Sequence, residues 1–387
     1  MGSTPTNMTA GESDTPRRRA ALRIVQAGPL DLIQDGGRIG FQRYGVGPSG
    51  AMDSRALAVA NALVGNAPDA PAIEFLQASS TIEAVDGPLR IAVAGAPGPV
   101  DLNGRVWESN RSFTLAPGDR LRAGPRSEGQ RGYIAVAGRF CLTPVMGSYS
   151  THLRAGFGGL DGRALAPGDI LDVSGAAPPD GPDSLFPDDA WIGGRPVAAP
   201  ETATDAMGEI TSDGPATVIR VLAGPQDDHF TPEAIETFTR SVYVISKDAD
   251  RMGYRLTGPT LAHADGYNIV SDAIATGSVQ VPGAGTPIIL LADRQTTGGF
   301  PKIATVVSAD LPRLAQLGPG DGLRFRFVSA ADAAKLAVAD HDWKAGLPSH
   351  LQPAVLRPED MTAEHLLEHN LVTAFWQPTD DNFPFRG

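Results

Sequence analysis

Leu115-Ala116-Pro117-Gly118-Asp119, Leu165-Ala166-Pro167-Gly168-Asp169 and Leu317-Gly318-Pro319-Gly320-Asp321 repeat one five-residue phrase, and each occurrence leads into a segment of alternating apolar residues. Proline presets φ and glycine supplies a backbone angle that other residues avoid, so each phrase reads as a turn that launches a strand. The intervals between the phrases are unequal, which excludes a regular solenoid or propeller. Short apolar runs lie around them, among them Leu89–Ala94, Gly132–Ala137 and Thr217–Leu222. With 45 Gly and 33 Pro to punctuate such runs, the chain is expected to be mainly β with a few short helices. Closed barrels dispose of exposed strand edges, so duplicated barrel-like units fit the pattern best.

Three helices are expected: one opening at Ser49-Gly50-Ala51-Met52-Asp53 and stopping at Gly65-Asn66, one beginning at Thr231-Pro232, and a short one over Asp310 to Leu317. The chain of 387 residues suits two globular units and a tail. Composition divides it into a disordered extension over 1–21, a first unit over 22–175, a Pro-, Ala- and Asp-rich linker or excursion over 176–215, a second unit over 216–328, and a helical tail over 329–387. The tail ends in Phe375-Trp376-Gln377-Pro378 and Phe383-Pro384-Phe385, aromatics expected to dock on the body or a partner.

A net charge of −12 repels phosphate backbones, and no basic run is interleaved with aromatics, so nucleic acid is excluded as a partner. No apolar stretch approaches the ~20 residues of a membrane span. The single cysteine, Cys141, fits a reducing compartment, and a cytoplasmic setting is expected. Arg17-Arg18-Arg19 is followed by an apolar stretch that Arg23 interrupts, too short for an export signal.

Two spellings of familiar motifs need weighing. Gly45-Val46-Gly47-Pro48-Ser49-Gly50 has G-x-G-x-x-G spacing before a helix, but Pro48 removes a backbone donor and no alternation of strands and helices follows. A dinucleotide loop is therefore rejected, leaving a plain turn or a small-anion cradle at the helix start, with Ser49 in it. His365-Leu366-Leu367-Glu368-His369 has H-x-x-E-H spacing, yet it lies in the tail and reads as an exposed helical face, so no metal is expected.

Three polar stretches carry the candidate chemistry. Gln34-Asp35-Gly36-Gly37-Arg38 follows the apolar Leu30–Ile33 and presents Asp35 and Arg38 from a glycine turn. Arg251-Met252-Gly253-Tyr254-Arg255 sets two guanidinium groups four residues apart, a spacing suited to gripping a carboxylate or phosphate. Asp293-Arg294-Gln295-Thr296-Thr297-Gly298-Gly299-Phe300-Pro301-Lys302 is delivered from the end of the very apolar Pro287–Leu291. Asp35, Asp293 and Arg294 are the catalytic candidates, the acids for proton handling and the arginine for developing negative charge. Gln34, Arg38, Ser49, Arg251, Arg255, Gln295, Thr296 and Lys302 are the candidates for holding substrate.

These stretches, with Asn61–Asn66, Glu74, Met146-Gly147-Ser148, Ser150-Thr151 and Gln280-Val281-Pro282, resemble successive signatures of the carboxyltransferase A/B family, also called allophanate hydrolase subunit 2-like. The similarity runs from about Leu22 to Val328. It implies two cyclophilin-like β-barrel units and a carboxyltransferase C/D-type partner. In chains of this size it implies the C subunit of an ATP-dependent 5-oxoprolinase, which opens 5-oxo-L-proline to L-glutamate together with an A-type lactam-utilisation subunit. The alternatives it carries are the carboxyltransferase component of a biotin-dependent urea or amide carboxylase, and a regulatory protein that controls a kinase through a C/D-type partner. The chain has neither a Walker A loop nor a biotin-attachment stretch, so ATP with Mg, or biotin, is expected on partner subunits.

Overall fold

The computed structural model describes residues 20–175, 183–186 and 216–354. The H-x-x-E-H spelling, the aromatic tail end, the N-terminal extension up to residue 19 and most of the expected linker lie outside the described residues.

The repeated phrase forms the same turn three times. Gly118, Gly168 and Gly320 have φ of 94°, 92° and 95°, in the left-handed region where a side chain is penalised. In each, the aspartate carboxylate accepts the N–H of the residue three before it: Asp119 from Ala116 at 2.7 Å, Asp169 from Ala166 at 2.7 Å, Asp321 from Gly318 at 2.8 Å. Each turn also clasps a neighbouring strand through a pair of backbone bonds, at Ala84, Ile24 and Ile245 respectively. The turn is thus a joint between two strands as well as the start of one.

The first unit holds two seven-stranded sheets. One runs Arg139–Phe140, Ile170–Ser174, Ala20–Gln26, Thr81–Asp86, Arg120–Ala123, Pro99–Leu102, Arg105–Glu108; the other runs Asp31–Gln34, Ala72–Leu76, Arg131–Val136, Leu89–Gly95, Arg111–Leu115, Ser184–Leu185, Gln352–Pro353. Their facing sides enclose one core, with Leu22, Ile24, Ile82 and Leu121 from the first meeting Ile73, Phe75, Ile91 and Ile134 from the second. The Ser54–Leu63 helix covers the outer face of the second sheet, on Ala92, Ala94, Tyr133 and Ala135. Buried on both faces, Arg131–Val136 shows no apolar–polar alternation.

The second unit is a closed barrel of Thr217–Ala223, Lys302–Val306, Ser278–Gln280, Ile288–Leu290, Gly253–Thr257, Tyr243–Ile245 and Gly322–Phe327, the last strand pairing in parallel with the first. The Pro232–Arg240 helix packs on it, with Phe238 stacked on Phe325 at 4.3 Å between ring centroids. Mainly β architecture is as the turns predict; of the two units, the second is the sealed ring, and the first closes its core between two sheets.

From the barrel the chain returns to the first unit. The Ala330–Gly346 helix sets Asp340 against Arg55 at 2.5 Å and Lys344 against Ser54 at 2.8 Å, and Trp343 packs on Phe186. Gln352–Pro353 then joins the first unit's sheet beside Ser184–Leu185. Among the described residues no helix is long and apolar enough to cross a membrane.

Candidate functional site

Glu74 stands in the middle of the buried strand Ala72–Leu76, where an isolated carboxylate would be costly. It is heavily bonded instead. Its Oε2 accepts from the Met52 N–H at 2.9 Å and the Tyr133 hydroxyl at 2.6 Å, and its Oε1 from Arg251 Nη1 at 2.5 Å. Arg251 belongs to the barrel unit, so this contact crosses the seam between the two units. The same guanidinium donates to both Asp293 oxygens, at 2.9 and 3.3 Å, and to the Gly50 carbonyl at 2.7 Å. Burial works to lower the Arg251 pKa, but Glu74 and Asp293 outweigh it and raise it.

A second chain of bonds runs beside the first. The Tyr133 hydroxyl accepts from the Asp53 N–H; the Asp53 carboxylate accepts from Arg55 N, Ala56 N and, across the seam, Gln316 Nε2 at 2.6 Å. Gln316 Oε1 in turn accepts from the Gln130 and Arg131 N–H groups, and Arg131 Nη1 donates to the Tyr254 hydroxyl and the Ala315 carbonyl. Burial raises the Asp53 pKa, opposed by these donors. The helix start that the sequence offers as an anion cradle is therefore filled by the protein's own Asp53. Of the two readings left open there, a plain turn and a small-anion cradle, this arrangement favours the plain turn.

The expected pair of arginines does not form. Arg251 points into the seam, whereas Arg255 lies on an outward position of Gly253–Thr257 and is exposed. Spacing of four aligns side chains on a helix; along a strand with a loop at its start, each residue's facing is set by the pleat and the loop.

Asp35 is saturated. Its Oδ1 accepts from Gly37 N, Ser148 Oγ and Ser150 Oγ, and its Oδ2 from Tyr149 N. It anchors the 148–150 turn rather than facing open space as a free base. Arg38, 1% exposed, donates to the Val145 and Ser150 carbonyls and lies over the Phe157 ring at 4.7 Å. Burial lowers its pKa against the opposing pull of Asp35 and Asp293. Its Nη1 is buried without a hydrogen-bond partner, as are Gln34 Oε1 and Ser49 Oγ. Ser49 also holds φ of 51°, a strained angle for a non-glycine residue, of the kind that collects at functional sites.

Arg294 is 3% exposed and donates to the Ile274 and Leu291 carbonyls and to Gln42 Oε1. Burial pushes its pKa down to about 10. Among the described residues neither Arg38 nor Arg294 forms an ion pair; Arg38 still feels Asp35 and Asp293, whereas burial alone acts on Arg294. Lys302, by contrast, reaches Asp272 at 2.8 Å. Gln295 is exposed and Thr296 half-buried; Thr297–Gly298 pairs with Asp272–Ala273, which holds the segment in place.

The loops meet at Gly47. A Cβ there would lie 3.2 Å from the Arg294 carbonyl and 3.5 Å from His152 Nε2, so only the bare backbone passes easily between barrel and first unit. Arg251 and Arg294 bond across the seam to Glu74, Gly50 and Gln42, the side chains of Gln34 and Arg38 bond within the first unit, and Arg255 is turned away. Tyr133, Asp53, Gln316, Arg131 and His152 were not anticipated as neighbours of the seam. A polar residue inside an apolar strand, as at Glu74 and Tyr133, is the one sequence signal for some of them. Among the described residues no group of three or more His, Cys, Asp or Glu stands where it would hold a metal ion.

Known proteins share both the sequence pattern and this architecture. The family described as carboxyltransferase domain, subdomain A and B, matches residues 44–327. The chain is 37% identical over 315 residues to the 5-oxoprolinase C subunit of Escherichia coli strain K12, covering 81% of this chain and 93% of that one. The crystal structure of TTHA0988 superposes with a TM-score of 0.66 at 34% identity, covering 84% of this chain and 60% of that one. The crystal structure of Kluyveromyces lactis urea carboxylase superposes with a TM-score of 0.74 at 26% identity, over 90% of this chain and 31% of that one. The chain thus spans nearly all of the Escherichia coli protein but less than two thirds of either solved structure.

Proposed function

Because the chain belongs to the carboxyltransferase subdomain A and B family, we propose that it serves as the C subunit of an ATP-dependent 5-oxoprolinase, in a complex that opens 5-oxo-L-proline to L-glutamate. The observation that carries this reading is the 37% identity to a 5-oxoprolinase C subunit over 93% of that protein's length. Its partners are a C/D-type carboxyltransferase and an A-type lactam-utilisation subunit; ATP with Mg is handled in the complex.

Lactam opening breaks the ring C–N bond, forms a C–O bond from water, and leaves a proton on the departing nitrogen. Negative charge gathers on the carbonyl oxygen on the way, and donors already in place stabilise it without reorganising. Arg251 is consumed by Glu74 and Asp293, and Lys302 by Asp272. The task falls to Arg38 and Arg294, buried cations that form no ion pair. Asp293 serves by orienting Arg251, and Asp35 by shaping the 148–150 turn; neither is placed as a free base.

The urea carboxylase likeness favours a second reading, a biotin-dependent component that moves a carboxyl group to urea or another amide. One experiment separates the two. The chain is co-purified with its two partner subunits, and glutamate formation from 5-oxo-L-proline is followed with and without ATP and avidin. ATP-dependent, avidin-insensitive turnover is expected. Absence of lactam turnover, with avidin-sensitive carboxylation of urea, overturns the first reading in favour of the second.

A further inference from the structure

The turn that opens the Ser54–Leu63 helix is where the first unit enters the barrel unit. The Met52 side chain packs into the barrel's own apolar core, the Asp53 carboxylate takes Gln316, and the Gly50 carbonyl takes Arg251. The amides of Ala51, Met52, Asp53, Arg55, Ala56 and Leu57 are each hydrogen-bonded, to Asp35, Glu74, Tyr133 or Asp53. The inner side of this turn is thus fully engaged.

Its outer side is held by the chain that leaves the barrel. The Ala330–Gly346 helix touches the barrel's Ser308–Asp310 turn and reaches back to the start of the first unit's helix. Asp340 accepts from Arg55 Nε at 2.5 Å, Lys344 donates to Ser54 Oγ at 2.8 Å, and Asp340 and Lys344 pair with each other at 2.8 Å. The Arg55 guanidinium lies 5.3 Å from the centre of the Trp343 ring, and Trp343 meets the buried Phe186 edge-on. Lys344 also acts on Asp53, drawing its pKa down against the effect of burial.

The two attachments differ in kind. No residue of the Ala330–Gly346 helix is buried. Its ends are fixed instead: Gly322–Phe327 before it belongs to the barrel, and after it Leu347 is fully buried and Gln352–Pro353 joins the first unit's sheet. Between those ends the hold on the first unit is the Arg55, Asp340 and Lys344 cluster with Trp343 beside it. A segment with few buried apolar contacts opens at lower free energy than the core it lies on. The three charged side chains are between 13% and 26% exposed, so salt reaches them. The helix can therefore loosen while both units stay folded.

We propose that residues 330–354 form a strap that clasps the Met52–Arg55 turn against the barrel, with Asp340, paired to Arg55 and Lys344, as its catch. Releasing the catch loosens the helix start, and with it the Gly50 carbonyl that Arg251 bonds, without unfolding either unit. Asp340 is thus a positioning residue for the seam, acting through Arg55. The strap does not depend on which amide the protein acts on.

The test is hydrogen–deuterium exchange of the full chain, read by mass spectrometry on peptides covering residues 50–57, 131–136, 253–257 and 330–346. In Asp340→Ala, exchange is expected to quicken ~5-fold or more in 330–346 and 50–57 and to stay unchanged in the other two. Asp340→Glu, which keeps the charge, is expected to restore most of the protection. Moving the wild-type chain from about 0.05 M to about 0.5 M salt is expected to quicken the same two peptides, and Asp340→Ala to respond less. A change confined to 330–346 means that the helix frays without holding the turn, and overturns the proposal. Equal quickening in all four peptides, which marks lost global stability, overturns it too, as does no change with either the variant or salt. Exchange is measured without substrate, so the strap stands or falls separately from lactam turnover by the complex.

Discussion

Replacing Arg251 with methionine keeps an apolar stem and removes a guanidinium that bonds Glu74, Asp293 and the Gly50 carbonyl across the seam. Glu74 retains the Met52 N–H and the Tyr133 hydroxyl, but the Asp293 carboxylate loses both of its recorded donor bonds. Breaking a buried ion pair by removing one partner costs about 3–5 kcal/mol, because the remaining charge stays buried. Against a total of about 5–15 kcal/mol for a typical domain, that is a large fraction. Urea unfolding followed by circular dichroism is expected to show the midpoint of Arg251→Met lowered accordingly. The double variant Arg251→Met/Asp293→Asn removes the stranded charge, and its loss is expected to fall short of the sum of the single losses by about 1–3 kcal/mol. If Arg251→Met unfolds within about 1 kcal/mol of wild type while the complex loses all lactam turnover, Arg251 works in the chemistry and the structural assignment is refuted.

Other consequences follow from single residues. Gly118→Ala, Gly168→Ala and Gly320→Ala place a Cβ in open space at φ above 90°, so each is expected to cost a similar ~1–2 kcal/mol from backbone strain alone; widely different losses in thermal unfolding would contradict the common turn. Ser49→Gly is expected to gain up to about 1 kcal/mol by relieving the left-handed angle, while lactam turnover falls with the loss of Oγ. Leu347, fully buried where the returning helix meets the first unit, is expected to cost about 2–5 kcal/mol on truncation to alanine, read by the same melts. Asp31 is buried with one carboxylate oxygen unpaired, and burial raises its pKa, opposed by Ser80. A carboxyl group with a raised folded-state pKa gives stability that is full below its unfolded value and lost as pH rises through the folded one. The stability of Asp31→Asn relative to wild type is thus expected to grow from about pH 4 upward, and a flat difference across that range would remove the burial argument.

The turns were legible in the chain because they depend on residues adjacent in sequence. A proline, a glycine and an aspartate settle φ, the left-handed angle and the carboxylate-to-amide bond within five positions, and the repeated phrase does so at Gly118, Gly168 and Gly320 alike. The helix starts at Asp53 and Thr231 were legible for the same reason, since a cap bonds amides two or three residues away. The strand Arg131–Val136 was visible as an apolar run, but that a helix would cover its second face was not.

Tertiary structure alone decided the site. Arg251 and Arg255 look equivalent in sequence, and the barrel sends one inward to Glu74, 177 positions away, and the other to solvent. Asp35 and Asp293 look like available bases until the Ser148–Ser150 turn and Arg251 take up their oxygens. His152 gives no local sign of its place, which depends on Gly47 passing between it and Arg294. Local turn chemistry acts over a few residues and can be read along the chain. Charge pairing across a seam depends on how the two units pack, and no local pattern encodes which of two similar side chains will face the other unit.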